Sequence, residues 1–199
     1  MPDGGSSDFG ERLAARMREL RAEKGQSLEV LARRSGVSRS MISLIERGET
    51  SPSAVVLEKL AAALGVTLAS VFEPAKGAER SEGPIARRES QAEWRDPASG
   101  YRRRNVTPPG VGQPMQVVDV EFPAGGRVAF DSGVRDVRVH QQIWVLKGEI
   151  VITLGTERHR LRQGDCLAMQ LDRPAMFHNP TRRTTRYAVV SASDGAPAR

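Results

Sequence analysis

The sequence predicts two domains of different class, an all-α bundle of five helices followed by an all-β barrel. Three observations support this division. Apolar residues recur with helical spacing from Phe9 to about Glu73. Residues 74–88 are rich in proline, glycine and charge and lack apolar periodicity, which is typical of a linker. From residue 89 onward, short alternating apolar runs are separated by glycine-containing turns, as in an antiparallel sandwich or barrel.

Five helices are expected between residues 9 and 73, each bounded by a capping residue or a glycine. Serine or threonine provides the predicted N-cap of the third to fifth helices, at Ser38, Ser51 and Thr67, and the second helix is expected to run from Ser27 to Ser35. Pro52 strengthens the prediction for the fourth helix, because proline is favoured at the first helical position. A bundle of about 65 residues is large enough to form a small core of its own.

The most informative segment spans residues 36–48 and reads Gly-Val-Ser-Arg-Ser-Met-Ile-Ser-Leu-Ile-Glu-Arg-Gly. Ile42 and Ile45 give the helix after Ser38 an apolar face. The opposite face offers small polar and arginine side chains. Two short helices joined by a glycine turn, the second with such a face, present a helix to the DNA major groove. The sequence therefore predicts DNA binding, and the alternative is a packed bundle without DNA affinity.

Residues 9–73 resemble the lambda-repressor-like, Cro/CI (XRE) helix-turn-helix domains. The resemblance rests on Leu31-Ala32, Gly36-Val37-Ser38, Ile42-Ser43-x-x-Glu46-Arg47-Gly48, Pro52 and Ala63-Leu64-Gly65-Val66. It implies a transcriptional regulator that binds double-stranded operator DNA. Because one such domain contacts few bases, a homodimer on a palindromic operator is expected. Many members carry glutamine just inside the second helix, where this chain has Leu28.

The resemblance also assigns roles to individual side chains. Contacts to base edges are expected from Arg39, Ser40, Ser43 and Leu44. Arginine can donate two hydrogen bonds to guanine, and leucine can contact a thymine methyl group. Contacts to phosphates, which position the domain without specifying sequence, are expected from Ser38, Arg47, Thr50 and Ser51. Arg21 and Glu46 are expected to form a structural ion pair between the first and third helices.

Residues 135–190 resemble the cupin barrel, a double-stranded β-helix or jelly roll. The resemblance rests on Ile143-Trp144-Val145-Leu146-Lys147-Gly148-Glu149, Leu161-x-x-Gly164-Asp165 and His178-Asn179-Pro180. The predicted strands are Gln116–Phe122, Ile143–Leu146, Ile150–Leu154, Leu167–Leu171 and Tyr187–Val190. The resemblance implies a sensor and dimerisation domain over residues 89–192, followed by a flexible tail at 193–199.

Cupin enzymes hold a metal through a His-x-His pair, a glutamate and a final histidine. This chain has Gln141 at the glutamate position and Ala175 at the last histidine position. His140 and His178 are displaced by one and three positions, and an odd shift moves a strand side chain to the other face. We therefore expect no metal, no other cofactor and no enzyme. The alternatives are a shifted metal site that recruits Cys166, a cupin enzyme with a DNA-binding head, and an antitoxin-like interaction module.

The barrel interior is a candidate pocket for a small-molecule effector, and the alternative is an apolar core without a ligand site. The predicted pocket residues are Gln141, Ile143, Val145, Met169 and Arg186. The first three share one face of their strand, because side chains alternate along a strand. Two arginine clusters, residues 102–104 and Arg182-Arg183-Arg186, predict either an anionic effector, further DNA contact or a solvated surface.

Net charge and amino-acid composition limit the classes of partner and cellular location that are expected for this protein. The chain has 199 residues, a formal net charge of +6 and a pI of about 10.2, which favours an anionic partner. Its single cysteine, Cys166, excludes an internal disulfide and is expected to be a packed thiol. Residues 1–8 are expected to be a disordered leader and not a signal peptide. No apolar stretch is long enough for a membrane span, so a soluble cytoplasmic protein is expected.

Overall fold

A computed structural model describes residues 4–75, 83–110, 115–131 and 137–193. The helices are α1 (Gly4–Glu23), α2 (Leu28–Ser35), α3 (Arg39–Glu46) and α4 (Ala54–Leu64), with short 3-10 helices at Ala69–Phe72 and Arg88–Ser90. No helix within these ranges is long and apolar enough to cross a membrane. Helix α1 begins five residues before the predicted start at Phe9. Parts of the predicted leader, linker and tail lie outside the described residues.

The helical bundle departs from the sequence prediction at its C-terminal end. The described residues of the bundle contain four α-helices and not five, because the last turn, Ala69–Phe72, is a 3-10 helix. Thr67 does cap this turn, since its Oγ1 accepts a hydrogen bond from Ser70 N at 3.1 Å. The predicted N-cap Ser51 was wrong, because α4 begins at Ala54 and Ser53 is its N-cap. Pro52 is therefore a buried residue before the helix and not its first residue.

Ten strands follow the bundle within the described ranges. They are β1 (Glu93–Arg95), β2 (Arg102–Asn105), β3 (Met115–Phe122), β4 (Arg127–Phe130), β5 (Val139–Lys147), β6 (Glu149–Leu154), β7 (Glu157–Arg162), β8 (Cys166–Gln170), β9 (Ala175–His178) and β10 (Thr185–Ser193). They form a six-stranded sheet in the order β1-β2-β3-β10-β5-β8 and a four-stranded sheet in the order β4-β9-β6-β7. Every strand pair is antiparallel.

The two sheets enclose the apolar core of the β domain. Strand β5 contributes Ile143 and Val145 to this core, and β6 contributes Ile150 and Ile152 from the opposite sheet. The predicted closed barrel is wrong for the described residues, which form two separately hydrogen-bonded sheets. Core side chains from the two sheets pack against each other, although the strands do not form a continuous hydrogen-bonded ring. Packing between facing sheets does not require their edge strands to pair.

Asn179, within the predicted cupin signature, has a structural role. Its side chain is fully buried, and its Nδ2 donates to the carbonyl oxygens of Phe122, Pro123 and Arg183 at 3.2, 3.0 and 2.7 Å. Its Oδ1 accepts hydrogen bonds from both the backbone N and the Oγ1 of Thr181. The asparagine therefore holds the turn before β10 against the end of β3.

The helical bundle packs directly on the six-stranded sheet. A series of neighbouring aromatic rings passes from the bundle into the β domain. In order, the rings are Phe9, Phe72, Trp94, Tyr101, Phe122, Tyr187, Phe177 and Phe130, with adjacent centroids 5.4–6.3 Å apart. Every aromatic residue of the chain except Trp144 belongs to this series. The buried cores of the two domains are therefore continuous.

Candidate nucleic-acid interface and sheet cavity

Helix α3 lies at the surface and is fixed by contacts at both ends. Ser38 is its N-cap, and Met41 N donates to Ser38 Oγ at 3.2 Å. Ile42 and Ile45 are buried against the bundle. Gly48 follows the helix with a φ of 73°, a left-handed conformation that favours glycine. The face opposite the two isoleucines therefore remains at the surface.

Arg21 and Glu46 attach α3 to α1. Arg21 Nε and Nη2 donate to the two carboxylate oxygens of Glu46 at 2.7 and 2.8 Å, and Nη1 donates to the carbonyl of Gln26 at 2.9 Å. Glu46 is 6% exposed. The hydrogen bonds that Arg21 donates to Glu46 raise the pKa of Arg21, so the arginine is charged at every physiological pH. The carboxylate of Glu46 is thus engaged inside the bundle and not at the exposed surface of α3.

The residues expected to contact bases have side chains at the surface of α3. Arg39 and Ser40 are exposed, and Ser43 and Leu44 are half-buried. Arg39 Nε lies 2.5 Å from Glu29 Oε1, and both side chains are more than half exposed. A hydrogen bond to the Glu29 backbone, a second to Ser27 and the nearby Arg39 together lower the pKa of Glu29. In this structure Arg39 is therefore held by a carboxylate on α2.

The residues expected to contact phosphates continue this surface beyond both ends of α3. Ser38, Arg47 and Ser51 are exposed, and Thr50 is half-buried. Arg47 donates to Ser43 Oγ at 2.5 Å and to both carboxylate oxygens of Glu49 at 2.6 and 2.8 Å. Its hydrogen bond raises the pKa of Arg47 and lowers the pKa of Glu49. The sequence prediction identified these arginines but missed their carboxylate partners, Glu29 and Glu49.

A cavity lies between the two sheets, at the end that the helical bundle covers. Its volume is about 70 Å³. Helix α4 and the adjacent turn supply Glu58, Leu68 and Ala69 to its wall, and the strands supply the rest. Its polar lining residues are Glu58, Tyr101, Arg103, Gln141, Tyr187 and Ser191. The cavity is therefore bounded by both domains.

The predicted effector residues do not all meet in this cavity. Gln141 and Ile143 line it, and Gln141 Nε2 donates to Ser191 Oγ at 3.1 Å. Val145 is buried elsewhere on β5, and Met169 lines a different groove. Arg186 lies outside the cavity and donates to both oxygens of Asp119, at 2.8 and 2.9 Å. The reason is strand alternation, because Tyr187 points into the cavity and its neighbour Arg186 therefore points to the outer face.

Strand alternation also separates the arginines at 102–104. Arg102 pairs with Glu121 at 2.9 Å, and Arg104 pairs with Asp119. Arg103 points inward and is 8% exposed, with its guanidinium carbon 4.8 Å from the ring centroid of Phe72. Its Nε is buried and has no hydrogen-bond acceptor among the described residues. The alternation of β2 would have revealed this inward arginine in the sequence if the strand had been recognised.

The three histidines lie on three different strands. His140 lies on the outer face of β5 beside Gln170, His159 lies on β7 near Glu157, and His178 ends β9. Burial is the main cause that lowers the pKa of His178. Within the described ranges, no three His, Cys, Asp or Glu side chains are grouped closely enough to hold a metal ion. Cys166 is exposed, so the prediction of a packed thiol was wrong.

Comparisons with known proteins agree with this geometry. The helix-turn-helix family model HTH_3 matches residues 17–71. The regulator PuuR of Escherichia coli K12 is 27% identical over 188 residues, which cover 94% of this chain and 96% of PuuR. The HTH-type transcriptional regulator y4dJ of Sinorhizobium fredii is 36% identical over 67 residues, which cover 34% of this chain and 87% of y4dJ.

A solved structure extends the similarity to both domains. The crystal structure of an HTH_3 family transcriptional regulator from Vibrio cholerae is similar to this chain, with a TM-score of 0.73 and 22% sequence identity. The match covers 94% of this chain and 98% of the Vibrio cholerae chain, which indicates a shared fold. Two other HTH-type regulators match only 35% and 31% of this chain, and the matches span 39% and 56% of their own lengths. With its capped, exposed α3 and its match to HTH-type relatives, the chain belongs to the XRE-type family of helix-turn-helix transcriptional regulators.

Proposed function

We propose that the protein binds a palindromic operator as a homodimer, with α3 of each subunit in the major groove. The observation that carries this proposal is the arrangement of α3, whose apolar face and Glu46 are held by the bundle while Arg39 and Ser40 are exposed. A recognition helix of this kind reads bases with its N-terminal residues. The net positive charge of the chain, +6, favours the same partner.

Within this proposal the surface of α3 divides into two functions. Arg39, Ser40, Ser43 and Leu44 read base edges, whereas Ser38, Arg47, Thr50 and Ser51 hold the phosphate backbone. The ion pairs with Glu29 and Glu49 support this division, because an arginine that leaves an exposed carboxylate can form a charge-assisted hydrogen bond with DNA. DNA therefore replaces these two carboxylates as the partner of Arg39 and Arg47.

Operator selection tests the proposal. Random duplexes are incubated with the full-length protein at physiological salt, and the retained DNA is sequenced. An enriched palindrome is expected. With the selected operator, Arg39→Ala is expected to weaken specific binding by about 1–3 kcal/mol and to relax preference at one base pair, as for loss of a bidentate guanine contact. Equal weakening on operator and random DNA would show that Arg39 contacts phosphate and would reject its base-reading role.

Arg47→Ala is the matched control, because Arg47 is also an exposed arginine with a carboxylate partner. We expect it to weaken binding to operator and random DNA to a similar extent. The slope of log affinity against log salt should fall in magnitude by about one, since one phosphate contact is lost. A change of base preference in this variant would contradict the phosphate assignment.

The outer face of the six-stranded sheet supports a dimer interface. Trp144 is 50% exposed at the centre of β5, and its registered neighbours across the sheet are Ala188 and Cys166. Val190, beside them on β10, and Met115, which is 54% exposed, extend this face. An exposed apolar patch of this kind is typical of an interaction site. A second copy of the chain supplies a matching patch, because a two-fold interface joins the same surface of both subunits.

Trp144→Glu tests the dimer. Burial of a glutamate in each half of the interface is unfavourable, so we expect the variant to shift to monomers in analytical ultracentrifugation. Its operator affinity should fall, because one subunit then binds one half-site. Exposed Arg160→Glu on the other sheet is the control and should leave the association state unchanged. A fully dimeric Trp144→Glu protein would place the interface elsewhere.

We infer that the β domain serves sensing and not catalysis. PuuR and y4dJ are both HTH-type transcriptional regulators, and the cavity shared with the bundle offers a place for a small-molecule effector. A cupin enzyme with a DNA-binding head would instead contain a metal and turn over a substrate. Metal analysis and turnover assays therefore test this alternative. Co-purification of a stoichiometric second protein would instead favour an antitoxin-like module.

A further inference from the structure

We propose that the cavity between the two sheets, beside α4, binds a small aliphatic monocarboxylate, with Arg103 as its anion-binding residue. The inference rests on the proposed regulatory function, since it names the class of effector for the sensing domain. It differs from the pocket expected from the sequence, because its wall includes Glu58 from the DNA-binding domain. Arg186, the arginine expected in that pocket, has no part in it.

Arg103 supplies the positive charge for this ligand. It lines the cavity, its side chain is almost completely buried, and its Nε lacks a hydrogen-bond acceptor among the described residues. A buried donor without an acceptor is costly, and a buried guanidinium more so. A carboxylate is the planar acceptor that best matches an arginine side chain. The hydroxyl groups of Tyr101 and Tyr187, which line the same cavity, can donate further hydrogen bonds.

The remaining lining restricts the rest of the ligand. Apolar side chains form most of the wall, including Val118, Ile143, Leu171 and Phe177, and they suit an aliphatic chain. Glu58 is 6% exposed at the bundle side of the cavity and repels a second anionic group. The lining therefore favours a monocarboxylate over a dicarboxylate.

The size of the cavity limits the ligand to a few non-hydrogen atoms. Its volume is about 70 Å³, and roughly 10–15 Å³ of such space holds one water molecule. The cavity thus has room for about five water molecules. A chain of three to five carbon atoms is of comparable size.

Occupation of this cavity affects the DNA-binding domain directly. Glu58, Leu68 and Ala69 belong to the helical bundle, and Phe72 contacts the Arg103 guanidinium. A ligand that binds Arg103 therefore changes the contact between the bundle and the sheet. Any ligand that prefers one arrangement of the two domains alters operator affinity, and operator alters ligand affinity by the same factor.

Calorimetric titration of the full-length protein with sodium butyrate, without DNA, tests the site. Butyramide is the uncharged control of matched shape, and succinate is the dicarboxylate control. We expect saturable binding of one butyrate per chain and at least about tenfold weaker binding of both controls, as for loss of a charge-assisted hydrogen bond. Absence of butyrate binding at millimolar concentration, or equal binding of butyramide, overturns the proposal.

Variants identify the residue responsible. Arg103→Gln and the more conservative Arg103→Lys should each weaken butyrate binding by at least about tenfold, because Lys lacks the planar fork of Arg. Arg102→Gln, on the outer face of the same strand, is the matched control and should bind as the wild type does. Glu58→Gln should reduce the discrimination against succinate. Wild-type butyrate affinity in a folded Arg103→Lys protein overturns the assignment.

A fluorescence measurement separates this inference from the proposed regulatory function. In a Trp144→Phe protein the emission comes from Trp94, whose ring lies 5.8 Å from the Tyr101 ring at the cavity wall. Butyrate should change this emission, and it should also shift operator affinity. A change in emission without a shift in operator affinity supports the ligand site and rejects its regulatory role. An unchanged emission, with calorimetric binding retained, places the butyrate site elsewhere and overturns the proposal.

Discussion

Tyr101 and Tyr187 are the two tyrosines of the chain, and both have buried side chains at the cavity. Burial is the main cause that raises the pKa of Tyr101 to about 12, and the nearby Arg103 opposes it. Burial also raises the pKa of Tyr187 well above its usual range. Removal of either phenolic proton in the folded protein would leave an anion in an apolar environment.

An alkaline titration followed by tyrosinate absorbance tests these shifts. We expect no phenolate signal from the folded protein near pH 10, where exposed tyrosines titrate, and a normal titration in denaturant. Between the unfolded pKa and the raised folded values, the native state binds more protons. Stability is therefore fully present below about pH 10 and falls as the pH rises further. A native-state titration near pH 10 would contradict the buried placement of both rings.

At the same scale, the sequence indicated some side chains and missed others for a definable reason. The Arg21–Glu46 pair and the Ser38 cap are local to a known motif, so the residue types and spacing were sufficient. Arg103 was grouped with its two neighbours as one charged cluster. Its inward direction depends on the register of β2 against β3. The paired residues are separated along the chain, so a local sequence pattern does not reveal this register.

The N-terminus of α4 shows how one element depends on another. Ala54 N, the first amide of the helix, donates to Asp96 Oδ1 at 2.9 Å, and Asp96 is 2% exposed. The other carboxylate oxygen accepts hydrogen bonds from Ser99 N and Oγ. A carboxylate at this position satisfies a helix donor and interacts favourably with the helix dipole. The turn after β1 therefore completes the cap of a helix in the other domain.

Asp96→Ala should remove this cap. We expect the free energy of unfolding to fall by about 1–3 kcal/mol, because buried donors lose their acceptor. Equilibrium denaturation by urea measures the change. Asp172→Ala is the control, since Asp172 is an exposed aspartate that pairs with the adjacent Arg173, and the denaturation midpoint of this variant should stay at the wild-type value. An Asp96→Ala protein with wild-type stability would mean that α4 does not need the acceptor.

Element boundaries were predictable where their signals were local. Ser38 was identified as a cap, the second helix was placed within one residue of its observed start, and short strands were expected in most of the correct places. The start of α4 was missed, because two serines flank Pro52 and either could cap the helix. Asp96, which fixes the first turn, lies 42 residues further along the chain. A local sequence pattern cannot reveal a capping residue that lies so far along the chain.

In the whole molecule, the two domains pack as one folded body. The sequence predicted domains joined by a linker, and it could not predict their contact, because aromatic residues that are far apart in the chain form it. Phe72 and Trp94 have ring centroids 5.4 Å apart across the domain boundary. Polar contacts reinforce the interface, since Gln116 on β3 hydrogen-bonds with Thr67 and Glu73 of the bundle. Movement of the DNA-binding head therefore requires this interface to rearrange.

A continuous core predicts a single cooperative unfolding transition. We expect helical circular dichroism and Trp94 fluorescence, measured in Trp144→Phe, to give coincident urea transitions, because neither domain retains its buried surface when the other unfolds. Phe72→Ala should lower stability by about 3–5 kcal/mol and separate the two transitions, since it removes the ring between Phe9 and Trp94. Phe130→Ala, at the far end of the ring series and within the sheets, should destabilise the protein while the transitions remain coincident. Two separate transitions in the parent protein would instead mean that the domains unfold independently and that the interface contributes little to stability.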